Sequence, residues 1–249
     1  GAAVWTSPAS SFSIELKDVA ADRIDRQRAH GYGEIPLPGT PDVTRLDERL
    51  ALKGLTLGSP ISIRIYKEES ELELWMLKGD RFVLLDTYPI CHWSGTLGPK
   101  LKEGDAQAPE GVYTVSERQI RLRGRWQRAF NLGFPNPLDQ IHSRTGSFIL
   151  IHGGCSSVGC FAMTNPVIEE IYRIANAALS RQQERFHVHV FPFRMTAANM
   201  ARHQNSEWRD FWANLKEVHD VFERTHRLPR IGICEQRYLV DDGRPGEFG

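Results

Sequence analysis

The sequence predicts an α+β fold, mainly β through its first two-thirds, with helices flanking the sheets. Three observations carry this. Apolar and polar residues alternate with period two from residue 61 onward. The period changes to three-to-four after residue 165. Long segments rich in Gly, Pro and Asn separate the strand-like runs. At 249 residues the chain has room for one large domain, or one domain with an appendage, at roughly 150 residues per domain.

Residues 1–58 read as an N-terminal arm. It holds a charged stretch from Lys17 to Arg28, a Pro/Gly segment over 31–39 and a short helix near 44–50, punctuated by Gly54 and Gly58. The alternating runs 61–66, 72–77 and 81–88 are successive strands, the last two joined by a turn at 78–80. Residues 111–115 and 147–151 supply two more. Pro166 fits the first turn of a helix, with Asn165 as its cap, and Val167, Ile168, Ile171, Ile174, Ala175 and Leu179 form its apolar stripe. Residues 186–191 alternate again. Trp208, Phe211, Trp212, Leu215, Val218 and Phe222 mark a second helix, and the last strand lies at 231–233 or 238–240. The expected division is an arm over 1–58 and a catalytic domain over 59–245.

Composition narrows the function classes. Hydrophobic residues make up 41% and charged residues 25%, which excludes a disordered, collagen-like or coiled-coil chain. Lys plus Arg (31) balances Asp plus Glu (31), so there is no global basic field for nucleic acid or an anionic membrane. No apolar run approaches the ~20 residues of a membrane helix, and no signal peptide is visible from Gly1 onward. The four cysteines are too few for a disulfide scaffold and include no Cys-x-x-Cys pair.

Chemistry concentrates in residues 149–166. A strand delivers His152; Gly153, Gly154, Cys155, Ser156, Ser157, Val158 and Gly159 make a turn; Cys160 follows a few residues before a helix. A thiol is nucleophilic as its thiolate, and a neighbouring imidazole can take its proton. Glycines permit close backbone approach, and N–H groups near Cys160 can face a developing oxyanion. These are the parts of a Cys–His acyl-transfer site. A buried thiol in a tight turn is the plain alternative, since free cysteine is often buried.

The stretch resembles the signature of the YkuD-type L,D-transpeptidase family: a His-Gly, a spacer, then Ser-His-Gly-Cys. Here His152-Gly153 is the first element and Ser157-Val158-Gly159-Cys160 the second. Val158 stands where the family has a second histidine, and the spacer is short. Both departures match the YafK-like branch, which the chain resembles over about 60–240, including the segments 95–105, 108–113, 130–136, 144–147 and 190–195. The resemblance implies a YkuD-type β-sandwich or barrel. It implies Cys160 as nucleophile, His152 as general base, the Gly153 carbonyl orienting the imidazole, and Ser157 and Gly159 with Cys160 around the oxyanion. Lys100, Asn131, His142 and Arg144, on family-like loops, are the candidate substrate-binding residues. The implied substrate is a peptidoglycan stem tetrapeptide. The acceptor is the amine of a second stem, giving 3–3 or 1–3 links, or of an envelope protein, and no metal or cofactor is required. The implied compartment is the periplasm.

Alternatives stay open. The same residues on the same scaffold serve a hydrolase that detaches proteins from peptidoglycan or trims stems, and a non-catalytic peptidoglycan-binding module is a third reading. Cys160 is chosen over Cys155 because it follows Ser-x-Gly and precedes the helix start. A Cys155–Cys160 disulfide would silence the site, and sequence assigns no connectivity to Cys91 or Cys234. His187 and His189 face one side of a strand, but no third zinc ligand accompanies them. The basic run Arg118, Arg121, Arg123, Arg125 and Arg128 around Trp126 reads as a solvated face or a carboxylate-binding patch rather than a nucleic-acid surface.

Overall fold

The computed structural model describes residues 28–120, 128–181 and 183–241, together with Asp25. Of the charged stretch only Asp25 and Arg28 lie within it. Arg121, Arg123, Arg125 and Trp126 lie outside the described residues.

Eleven strands are described: β1 (Ile61–Tyr66), β2 (Glu71–Lys78), β3 (Arg81–Pro89), β4 (His92–Trp93), β5 (Gly111–Ser116), β6 (Ala129–Asn131), β7 (Leu150–His152), β8 (Phe161–Ala162), β9 (Arg185–Phe191), β10 (Arg230–Cys234) and β11 (Arg237–Asp241). The described helices are α1 (Leu46–Lys53), α2 (Glu117–Ile120), α3 (Pro137–Ile141), α4 (Asn165–Leu179), α5 (Ala197–Arg202) and α6 (Arg209–Thr225). The main sheet runs β3-β2-β1-β9-β5, with β9 parallel to β1 and the other pairs antiparallel. A second sheet runs β4-β8-β7-β6, and β10 and β11 form a separate hairpin. The expected α+β class is what is observed, with the site on the smaller sheet.

Both faces of the main sheet are covered, and this is why the alternating pattern of β1 does not leave a wet face. On one side Ile61, Ile63, Ile65, Leu72, Leu74 and Met76 share a core with α1 (Leu46, Leu50) and α4 (Ile171, Ile174, Ala175, Ala178). The inward residues Phe130, Ile151 and Phe161 of the second sheet join the same core. On the other side α6 lays Trp212, Leu215 and Val218 against Tyr66 and Phe191, and Phe222 against Trp75. Each fully buried side chain of this kind contributes about 1.5–3 kcal/mol. Ser62 and Arg64, the polar partners in the alternation, are buried beneath α6. Arg64 is compensated by Glu223 at 2.5 Å and Glu73 at 3.7 Å, and lies over the rings of Tyr66, Trp75, Phe191 and Phe222.

Several boundaries differ from the sequence reading. The strand expected over 147–151 begins only at Leu150, because Gly146 (φ 144°) and Phe148 (φ 52°) leave the extended region. The helix near 44–50 starts as a 3-10 turn, Val43–Arg45, and runs on as α1 to Lys53, where Gly54 ends it in the left-handed conformation (φ 62°). Thr164, not Asn165, is the cap residue of α4, because the Asn165 side chain is drawn across to the His152 turn. Both C-terminal candidates are strands, paired with each other.

The main sheet also grips the loop that reaches the site. The ammonium of Lys67, directly after β1 and fully buried, sits 2.9 Å from the carbonyl oxygens of Thr96, Gly98 and Ala108 and from Glu110 Oε1, four acceptors that share its three N–H groups. Glu110 precedes β5 and also accepts from Trp212 Nε1 at 2.7 Å. One ammonium thus ties the two ends of residues 96–110 to β1, β5 and α6.

Candidate active site

The site is set by the pairing of β7 with β8. These strands are parallel, with Ile151 opposite Phe161 and His152 opposite Ala162. Parallel neighbours usually need a dozen or more connecting residues; here eight suffice, residues 153–160, because the strands are only three and two residues long. Ile151 and Phe161 point into the core. His152 ends β7, and Cys160 directly precedes β8, whose Phe161 and Ala162 pair with Ile151 and His152. The Cys160 thiol lies against the start of β7: its Sγ accepts the Leu150 N–H at 3.3 Å and bonds the Phe148 carbonyl at 3.7 Å.

The connecting turn demands its glycines for different reasons. Gly154 (φ 88°) and Gly159 (φ 86°) occupy the left-handed region. Gly153 is needed for close approach, since a Cβ there would stand 2.5 Å from Asn165 Oδ1. Asn165 Oδ1 in turn accepts the Gly154 N–H at 2.8 Å. Cys155 adopts φ 52° and is disulfide-bonded to Cys91, which leaves Cys160 and Cys234 as the free thiols. Cys155 is therefore bridged to Cys91 and not to Cys160.

His152 is buried, and its Nδ1 bonds the Gly153 carbonyl at 2.6 Å. With Nδ1 as donor, the neutral imidazole keeps its lone pair on Nε2, the state a base requires. Cys160 is partly buried, and burial pushes its thiol above the usual value. The Leu150 N–H, the Ser157 hydroxyl and the charge of Lys100 pull the other way.

The residues expected around the oxyanion are here, but bonded within the protein. The Cys160 N–H donates to Ser157 Oγ at 2.8 Å, and the Ser157 hydroxyl donates to the Cys160 carbonyl at 2.6 Å. The Gly159 N–H donates to Ser94 Oγ at 2.5 Å. Ser94 was not singled out by the sequence and has no local signal, lying 65 residues away.

The four candidate substrate residues are not gathered together. Lys100 is buried, paired with Asp105, and its charge reaches the thiol. The Asn131 side chain accepts from the Gly133 N–H at 3.0 Å, closing a turn after β6. His142 and Arg144 line another cavity, of about 360 Å³, with Glu207, Trp208, Phe211 and Arg237. Arg144 is buried, bonded to Asp139 at 2.8 Å, with its guanidinium 4.9 Å from the Phe211 ring. Burial raises the Asp139 carboxyl above its usual range against the pull of that guanidinium.

Elsewhere, His189 is buried with neither ring nitrogen hydrogen-bonded, and burial holds its pKa well below the usual imidazole value. Among the described residues no group of three or more His, Cys, Asp or Glu is placed to hold a metal ion. No helix among them is long and apolar enough to cross a membrane.

A profile of the YkuD family, the L,D-transpeptidase catalytic domain, matches residues 63–188. The chain belongs to this family. Its similarity to YafK of Escherichia coli (strain K12), a protein provisionally named an L,D-transpeptidase, is 45% identity over 184 residues, 74% of this chain and 75% of YafK. The YafK of strain O157:H7 matches to the same extent. Among solved structures, the helical cell shape determining protein Pgp2 of Campylobacter jejuni aligns with a TM-score of 0.40 and 17% identity over 78% of this chain and 82% of Pgp2. Bd1075 of Bdellovibrio bacteriovorus aligns with a TM-score of 0.40 and 18% identity over 74% of this chain and 83% of Bd1075. The YkuD match takes in most of β1, β2 to β8 and most of β9, with the whole His152–Cys160 turn, and leaves out the arm, α5, α6 and the β10–β11 hairpin. YkuD domains act on the cell wall, so membership brings peptidoglycan forward as the substrate class.

Proposed function

We propose that the protein is a cysteine acyltransferase working on peptidoglycan stem peptides, with Cys160 as nucleophile and His152 as general base. The observation that carries this reading is a free thiol against the start of β7 and an oriented imidazole at its end, with the turn's other cysteine held by Cys91. His152 Nε2 takes the thiol proton as sulfur bonds to the carbonyl carbon of the L-centre of a stem tetrapeptide. The C–N bond to the terminal D-residue then breaks, and its nitrogen leaves with the proton from His152. An amine of a second stem, or of an envelope protein, attacks the thioester and returns the thiol. Water in place of the amine gives hydrolysis.

Negative charge developing on the carbonyl oxygen calls for the Gly159 and Cys160 N–H groups and the Ser157 hydroxyl. In this reading substrate entry exchanges the Ser94 and Ser157 oxygens for that of the substrate. Lys100 supports the thiolate. His142 and Arg144 meet only a substrate that extends into their cavity, and Asn131 acts through its turn. The catalytic unit runs from 59 to 245, with 1–58 as an arm. A disulfide in the site turn suits an oxidising compartment, and with a cell-wall substrate this supports the periplasm.

The test is mass spectrometry of a purified disaccharide-tetrapeptide after incubation with the protein and with its Cys160→Ala variant. Cross-linked dimers made by the parent alone are expected. Shortened monomers without dimers would replace the transferase by the hydrolase, and undiminished activity in Cys160→Ala would refute the nucleophile.

A further inference from the structure

We infer that the N-terminal arm is a working part of this site: Glu34 fixes the Asn165 amide, and through it positions the His152 imidazole. The inference rests on the assignment of His152 as the base. Residues 31–33 form a tight 3-10-type turn, with Tyr32 at φ 56°, and Gly33 lies against Gly154 of the catalytic turn. Gly33 is buried with φ 99°, and a Cβ on it would stand 2.9 Å from Gly154 Cα and 3.1 Å from Asn165 Oδ1. Only a glycine lets the two backbones meet so closely.

The polar contacts continue in one line. Asn165 Nδ2 donates to Glu34 Oε1 at 2.6 Å, and Asn165 Oδ1 accepts from the Gly154 N–H at 2.8 Å. The same Oδ1 occupies the space beside Gly153 that a Cβ would need. Gly153, pressed there, presents its carbonyl to His152 Nδ1 at 2.6 Å. Asn165 begins α4, a 15-residue helix packed into the main core, so the amide is carried on a rigid element.

Glu34 matters because a side-chain amide has a donor end and an acceptor end of nearly equal shape. An ionised carboxylate only accepts. It therefore holds the NH2 end toward the arm and turns Oδ1 toward the Gly154 N–H. A cation at position 34 would favour the reverse orientation, setting the NH2 against that N–H and pushing the turn, with the Gly153 carbonyl, away from His152. Asn165 and Glu34 are positioning residues; neither touches the reacting atoms.

The readout is the alkylation rate of Cys160 by iodoacetamide across pH, followed by peptide mass spectrometry in the full chain, with exposed Cys234 as internal standard and the thermal midpoint recorded alongside. Since a misplacement of about 1 Å costs up to ~100-fold, Glu34→Lys and Gly33→Ala are expected to slow Cys160 at least ~10-fold at neutral pH. Glu34→Ala should fall between them and the parent. Glu34→Gln, which can still offer an oxygen to Asn165, should stay within ~3-fold of the parent, with Cys234 unchanged throughout. A parent-like rate and pH profile in Glu34→Lys, or equal losses in Glu34→Gln and Glu34→Lys, would overturn the clamp, as would a lowered midpoint with unchanged reactivity. His152→Ala separates the two levels. If it is slow while Glu34→Lys matches the parent, only the clamp fails; if His152→Ala itself matches the parent, the base assignment fails and the clamp with it.

Discussion

Replacing Cys91 and Cys155 together by serine tests the covalent anchor of the catalytic turn. The two cysteines are 64 residues apart in sequence, with Cα atoms 5.0 Å apart. Between them lie β4, the loop held by Lys67, β5, α2, β6, α3 and β7. In the chain-entropy account, opening a loop of that length returns about 4 kcal/mol to the unfolded state. Cys155 is almost wholly buried (2% exposed), so a serine hydroxyl there adds about 1 kcal/mol of desolvation. With a urea slope near ~3 kcal/mol per molar for a chain this long, the midpoint should fall by about 1.5 M. The thermal midpoint should fall by about 10 °C or somewhat more, at ~2–4 °C per kcal/mol. The assay is urea unfolding by tryptophan fluorescence, for parent and double variant, with and without reductant. Reductant should lower the parent's midpoint by about 1.3 M, most of the way to the variant's, and leave the variant where it is. Thiol titration of the unreduced, unfolded parent should count two thiols, Cys160 and Cys234. Four thiols, or a parent midpoint indifferent to reductant, would refute the bridge and with it the argument that Cys155 is unavailable as a nucleophile.

Three further outcomes are expected. Arg144→Ala strands the buried Asp139 carboxylate and should cost about 3–5 kcal/mol in urea unfolding; unchanged stability with a raised KM would instead make Arg144 a substrate contact. Lys67→Met leaves Glu110 buried without its cation and should cost a similar ~3–5 kcal/mol, with much of it recovered in the Lys67→Met/Glu110→Gln double variant; additive losses in that double-mutant cycle would refute the pairing. Burial disfavours the Cys160 thiolate, so its alkylation should keep rising with pH beyond the point where a free cysteine levels off, and Lys100→Met should move the curve further up. A plateau at or below that of free cysteine would refute the dominance of burial.

What was legible in the sequence is what short-range periodicity carries. The strand over 61–66 and the helical stripes of α4 and α6 were readable because each alternation or three-to-four repeat reflects neighbours within a few residues. The Cys–His pair was readable because both residues sit in one 18-residue segment. The contacts that complete the site were not, because each closes over a long stretch of chain. Ser94 meets Gly159 from 65 residues away, Cys91 meets Cys155 from 64 and Glu34 meets Asn165 from 131. Nothing in the local pattern at Ser94 or Glu34 distinguishes them from other surface polar residues. Alternation in β1 likewise says that Ile63 and Arg64 face opposite ways. It does not say that Glu223, 159 residues on, will cover Arg64.

The electrostatics of the site favour one order of events over another. Burial disfavours the Cys160 thiolate, so under the proposed mechanism proton removal is best coupled to the attack itself. The proposed base, His152, then has to be in the right tautomer and in place beforehand. The Gly153 carbonyl sets the tautomer by accepting from Nδ1, and the Asn165 amide keeps Gly153 where it can do so. The Gly159 and Cys160 N–H groups are bonded to Ser94 and Ser157 until a substrate oxygen competes for them. In that proposal, charge develops on sulfur and on the carbonyl oxygen together, when the substrate is present to receive both. A site arranged this way gains little from a thiolate formed early and depends strongly on where His152 is held.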